Sequence, residues 1–322
     1  MESEREQVVQ LDFVTVSSAE DMARKQEMLY ELDEIDSISL LRKLTEIGEN
    51  ALSAKKLTGG VDDFHNLAVT FARVGLHDMC CDILERGLKL HPTAIDLLAD
   101  FLSYGLECGR EERCEYYYNL LVSLPDAKMT WRGYDFAIDY LMEKIKDSHD
   151  ESEVSELVIQ IEERLKKYKA HFPNSEDPYV SESQVLSFLG KENEAIAVLK
   201  RAMDTLAAPK CYLRYAVILV KQGKYEEVVS VAQKAVSVSA QEQMSVNIPY
   251  LFYLSGMAKD ALIHAEGDYK NRERVLDAYS DYKVAEELFD STRAVYMKNL
   301  KMRVRILELK SHIPYNENWK AE

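Results

Sequence analysis

Few residues in this chain of 322 could do chemistry, and they are scattered. Five cysteines and seven histidines are the metal-ligand and nucleophile candidates. A structural zinc needs four such groups converging, usually supplied as closely spaced pairs. Cys80 and Cys81 are adjacent, so on a helix their side chains diverge and cannot share an ion. Cys108 and Cys114 flank a turn, and no second cysteine or histidine pair has metal spacing. There is no glycine-rich phosphate loop, nucleophile elbow or HExxH helix. The expectation is no metal, no cofactor, no catalytic residue and no enzyme. Tyr116, Tyr117 and Tyr118 could in principle stack bases. Tyr118 falls at a core position, however, and the charge of the chain argues against that use.

Forty basic against 56 acidic residues leave a net charge of −16. Such a field repels nucleic acid and anionic membrane and favours cationic partners. Glycine and proline number 12 and 7, about half the usual share, which suits helices and starves hairpin turns. No run approaches the roughly 20 apolar residues that span a bilayer, and no apolar signal segment follows Met1 to Gln10. Together with an odd cysteine count, this predicts a soluble, cytoplasmic, all-α protein with no membrane or nucleic-acid partner.

An internal period organises the helices. Gly75 and Gly109 are 34 residues apart, and each is preceded and followed by an apolar stripe at helical spacing. The first unit, 61–94, has Phe64, Leu67, Ala68 and Phe71 before its glycine, then Cys80, Leu84, Gly87 and Pro92. The second, 95–128, has Leu98, Phe101, Leu102 and Gly105, then Cys114, Tyr118 and Leu121. Two further units, 176–209 and 210–244, centre on Gly190 and Gly223. The clearer of them carries Tyr212, Tyr215, Ala216 and Leu219, then Tyr225, Val228, Ala232 and Ala235. A glycine between two stripes suits the left-handed end of a helix, so each unit predicts a helical hairpin.

This pattern resembles the tetratricopeptide repeat family, with Cys80, Cys114 and Val228 where alanine is usual and Gly105 where an aromatic is expected. The resemblance implies an α-solenoid of hairpins whose first helices line a concave face that holds a partner peptide or helix. Between the good copies, 129–175 reads as an enlarged unit. Its stripes are Trp131, Tyr134, Ala137, Ile138 and Leu141, then Leu157, Ile161, Leu165 and Tyr168. The charged KDSHDESEVSE between them is expected to be a surface loop or a solvated helix extension. The remaining segments are a tail at 1–18, a helical cap at 19–60, a degenerate repeat and long capping helices at 249–313, and a tail at 314–322. Arg293, Lys298, Lys301, Arg303, Arg305, Lys310 and Lys320 make the C-terminal region net positive, and packing on the chain's own body is its expected fate.

The resemblance also selects the concave-face candidates. They are His65, Val69 and Arg73 in the first unit, Ala99 and Ser103 in the second, Val180 and Gln184 in the fourth, and Lys210, Arg214, Val217 and Lys221 in the fifth. A subset of the family grips C-terminal carboxylates with Lys and Asn residues. Lys210 and Arg214 match two members of that clamp, but Ser181 stands where an Asn is needed, so no clamp is expected. Cations on the face favour an anionic ligand segment. The expected function is a non-enzymatic protein-interaction scaffold whose partner is another protein or peptide, with oligomeric state open. One alternative is a peptide-responsive regulator of another protein. Another is an enzyme: the spacing of Arg305 and His312 resembles that of a family of helical ribonucleases, although Ile306 follows the arginine where a polar residue is usual.

Overall fold

The structure, a computed structural model, describes residues 60–73, 76–241, 247–289 and 294–315. The expected tail at 1–18, nearly all of the cap at 19–60, Gly75 and Arg293 lie outside the described residues. Every regular element among the described residues is helical. The helices are α1 (Val61–Arg73), α2 (His77–Leu90), α3 (Ile95–Gly105), α4 (Glu111–Ser123), α5 (Trp131–Asp147) and α6 (Glu151–His171). After these come α7 (Asp177–Phe188), α8 (Glu192–Thr205), α9 (Pro209–Lys221), α10 (Tyr225–Gln241), α11 (Ile248–Glu266), α12 (Arg272–Leu288) and α13 (Ala294–Ser311). They divide at Phe172 into two compact units. In each, consecutive helices pair as hairpins, and the first helices of successive hairpins also touch: α1 with α3 and α3 with α5 in one unit, α7 with α9 and α9 with α11 in the other. Each unit is thus an all-α solenoid segment of tetratricopeptide-like hairpins. No described helix is long and apolar enough to cross a membrane.

The hairpin turns follow one recipe. Gly109, Gly190, Gly223 and Gly267 all sit at φ between 66° and 74°. The residue after each glycine donates its N–H five residues back: Arg110 to Gly105, Lys191 to Leu186, Lys224 to Leu219 and Asp268 to Ile263, at 2.8–3.0 Å. This closes the helix end with carbonyls that would otherwise lack donors. Leu76 makes the same step to Phe71 at 2.9 Å.

The stripes are buried as their spacing requires. Phe64, Leu67, Phe71, Leu98, Phe101, Tyr134, Ile161 and Tyr168 are all but inaccessible. Two departures from the family pattern prove to be one contact. A Cβ added to Gly105 would lie 2.5 Å from Cys114 Sγ and 2.9 Å from Phe101, so the missing aromatic makes room for the oversized thiol. One expectation is corrected. Trp131 opens α5 at its exposed end, 45% accessible and beside the Arg132 guanidinium, and is not part of the core. Tyr117 packs edge-on against Phe101 at 4.7 Å, leaving Tyr116 alone exposed. The charged KDSHDESEVSE segment is mostly helix, with only Ser148 to Asp150 between α5 and α6, and Asp150 accepts the Ser152 amide at 2.8 Å. The basic α13 packs on its own unit through Leu300, Val304 and Leu307, with Arg303 paired to Asp260 at 3.3 Å.

Gly223→Ala should cost about 1 kcal/mol through backbone strain alone. Gly105→Ala should cost about 2–3 kcal/mol through overpacking, and adding Cys114→Ala should recover part of it. Urea unfolding of these three variants, with Cys114→Ala alone as a fourth, checks both. Equal losses from the two glycines, with no coupling to Cys114, would contradict the packing account.

Candidate functional site

The site is built on one face of α3 and the facing stripe of α5. Asp96, Asp100, Ser103 and Glu107 follow one another at i, i+4, i+7 and i+11, so they share a side of the helix and its terminal turn. On α5 the corresponding stripe is Arg132, Phe136, Asp139, Glu143 and Asp147. Thr130 sets where that stripe begins, since its hydroxyl accepts the Gly133 amide at 3.2 Å and caps α5.

At one end the stripe is closed by charge. Asp100 is 2% accessible although it is a carboxylate. One of its oxygens meets His65 Nδ1 of α1 at 2.5 Å, and the other takes the Arg132 guanidinium of α5. Arg132 also lies 3.1 Å from Asp96 and sits over the Phe136 ring, 5.1 Å from its centre. The hydrogen bond that His65 donates to Asp100 raises the His65 pKa against the lowering effects of burial and of Arg132, with the charges of Asp100 and Asp96 helping. His65 is therefore part of a strut joining three repeats.

At the other end the stripe opens into a cavity of about 570 Å³ between α3 and α5. Its polar wall is Ser103, Glu107, Asp139, Glu143 and Asp147, and its apolar wall includes Phe136 and Tyr140. Asp139 keeps contact with solvent, yet the enclosing walls and Glu143 push its carboxyl up to about 6. The face here is negative.

The other candidates separate. Val69 is half-buried on α1, and the side chain of Arg73 lies outside the described residues. Ala99 is fully buried and cannot line a face. In the second unit Lys210 is engaged: its N–H donates to Glu176 at 2.7 Å and its Nζ lies 2.5 Å from Asp177. Glu176 accepts from Cys211 N as well, at 3.2 Å, and burial pushes its pKa up to about 7. Arg214 is half-buried with no hydrogen bond at Nε among the described residues, and desolvation lowers its pKa. Val180 and Val217 pack on the core, while Gln184 and Lys221 are exposed. Arg305 pairs with Glu308 at 2.7 Å, and His312 lies past the end of α13 at φ 60°. Among the described residues no hydrogen bond or ion pair joins those two. Nor do the described residues hold a group of three His, Cys, Asp or Glu placed to bind a metal. Burial pushes the thiols of Cys80 and Cys81 well up, that of Cys114 to about 11 and that of Cys211 to about 12, which disfavours thiolates.

No model of a protein family matches the chain, and no curated protein matches it. Among solved structures it is similar to a thermophilic TPR protein of Thermus thermophilus, at 19% identity and TM-score 0.46, over 62% of this chain and 98% of that one. It is similar to a human IFIT1 dimer with PPP-AAAA, at 13% identity and TM-score 0.39, over 94% and 76% of the two chains. A human IFIT1 dimer with m7Gppp-AAAA is 14% identical at TM-score 0.44, over 98% and 76%. The exclusion of nucleic acid drawn from net charge does not stand, since two of the similar structures hold PPP-AAAA and m7Gppp-AAAA. Summed charge does not set the local sign within a groove.

Asp100→Ala should lower the stability of its unit by about 3 kcal/mol, because it strands two partners of a buried carboxylate. Both partners reach water in part, which keeps the loss at the low end of the range. The raised His65 pKa means that the folded state holds that proton more tightly than the unfolded chain. Its contribution is complete below about pH 6.5 and is lost as pH rises through the raised value. His65→Gln should flatten that part of the stability–pH curve in denaturant titrations. An unchanged curve would show that the strut is not formed.

Proposed function

We propose that the protein is a non-enzymatic scaffold that holds a segment of a partner protein on the first-helix face of its first unit, between α3 and α5. The observation that carries this reading is the cavity between two first helices, with Ser103 on its wall. Ser103 is, with Ala99, one of the two positions of the second repeat that the repeat frame selects for contact. The strut from His65 through Asp100 to Arg132 supports the reading further. It pre-sets the spacing of the walls, so less ordering is needed when a segment binds. The half-open cavity falls in the size range of ligand sites.

The test uses short peptides selected by the wild-type chain from a random-sequence library, followed by fluorescence polarisation. Ser103→Trp fills the cavity and should weaken their binding at least about tenfold, or roughly 1.4 kcal/mol, with the thermal melt unchanged. Glu163→Trp, on the exposed side of α6, should leave binding as it was. Peptide binding indifferent to Ser103→Trp would overturn the proposal. So would a 5′-triphosphorylated AAAA oligonucleotide that occupies this face in preference to every selected peptide.

A further inference from the structure

We propose that Cys81 and Cys108 form an oxidisable dithiol, which hydrogen peroxide converts into a disulfide tying α2 to the turn after α3. This site is independent of the scaffold reading.

Ion pairs pin that turn to α2 on both sides of Cys108. Before it, Glu107 lies 2.7 Å from His77 Nδ1. After it, Arg110 lies 3.3 Å from Asp78 and 2.8 Å from Asp82. Steps of three and four residues relate His77, Asp78, Cys81 and Asp82, so all four share one face of α2. Cys81 and Cys108 meet between these pairs, and there the Cys81 thiol donates a hydrogen bond to the Cys108 sulfur. A disulfide forms only where the backbone already brings two sulfurs together, and here it does. The bond would hold the turn that carries Glu107, a wall residue of the α3/α5 cavity.

Accessibility separates the roles of the two. Cys108 is half-buried, whereas the other four cysteines are buried. A buried thiol ordinarily serves as a small apolar group. Cys114 does so, packed where Gly105 leaves room and with Sγ 3.9 Å from the Phe101 carbonyl. Cys108 instead reaches solvent, where peroxide can meet it. Desolvation raises its pKa, but the Cys81 hydrogen bond and the Arg110 charge act in the opposite sense and favour its thiolate. Burial keeps Cys81 a thiol. Cys108 is thus the attacking sulfur and Cys81 the resolving one.

The Cys108 thiolate attacks one peroxide oxygen. An S–O bond forms, the O–O bond breaks, and the departing hydroxide takes up a proton to become water. Cys81 then gives up its proton as its sulfur attacks the sulfur of the Cys108 sulfenic acid. The S–S bond forms, the S–O bond breaks and a second water leaves. Two thiols are oxidised, and one peroxide is reduced to two waters.

The test treats the full-length chain with a small excess of hydrogen peroxide, blocks residual thiols with iodoacetamide and maps tryptic peptides without reduction. Peptide 90–110 should be joined to peptide 74–86 with the loss of two hydrogens, and dithiothreitol should release them. Cys80 and Cys81 share the second peptide, so variants identify the sulfur. Cys80→Ala should leave the yield within about twofold, and Cys81→Ala should lower it at least about tenfold. In Cys81→Ala, dimedone should label Cys108, because its sulfenic acid then lacks a resolving thiol. Cys108→Ser changes a partly exposed position and should also abolish the link, which keeps the test decisive if Cys81→Ala is poorly folded. A link from Cys108 to Cys80 or Cys114, or one between two chains, would overturn the proposal. So would an unreactive Cys108, or one driven to sulfinic acid without a link.

Discussion

A carboxylate withdrawn from water must be given partners, and Asp100 is given one from the repeat before it and one from the repeat after it. That division brings α1, α3 and α5 side by side in a fixed register. An apolar contact tolerates sliding by part of a turn, whereas a carboxylate shared between an imidazole and a guanidinium does not. Asp100 lies on the same face of α3 as Ser103 and Glu107. The interaction that joins the first helices therefore also sets the walls of the cavity beside it.

How much of this was legible in the residues depended on whether its cause was local. The apolar stripes and the glycine turns were, because helical spacing and a left-handed terminus are each settled within a few residues. Gly109, Gly190 and Gly223 all take the conformation that their place between stripes implied. Gly105 and Cys114 looked like separate departures from a pattern and are one packing contact. The strut could not be read. His65 and Arg132 lie 35 residues before and 32 after Asp100, and an aspartate on a helix ordinarily marks its solvated side. The acidic wall was missed for a related reason. It comes largely from the enlarged repeat, where Asp139, Glu143 and Asp147 at four-residue intervals were the available signal.

The two units use charge differently on corresponding faces. In the first, acidic groups outnumber their partners around an open cavity. In the second, Lys210 is tied to Glu176 and Asp177, and Arg214 is half-buried. A cation read from its place in a repeat can thus be a structural tie, and net charge does not say which surface carries the unpaired groups. The basic α13 illustrates the same point, since Arg303 serves Asp260 within its own unit. Partner class is a property of local geometry, which summed charge does not report.

The claim beneath the rest is that a partner segment lies along the first helices of the first unit. Amide hydrogen exchange of the full-length chain, with and without a saturating selected peptide, tests it most directly. The account expects slowed exchange in α3, α5 and the turn after α3, with α4 and α6 unchanged. Protection centred on α4 and α6, or none in this unit while the peptide is bound, would contradict it.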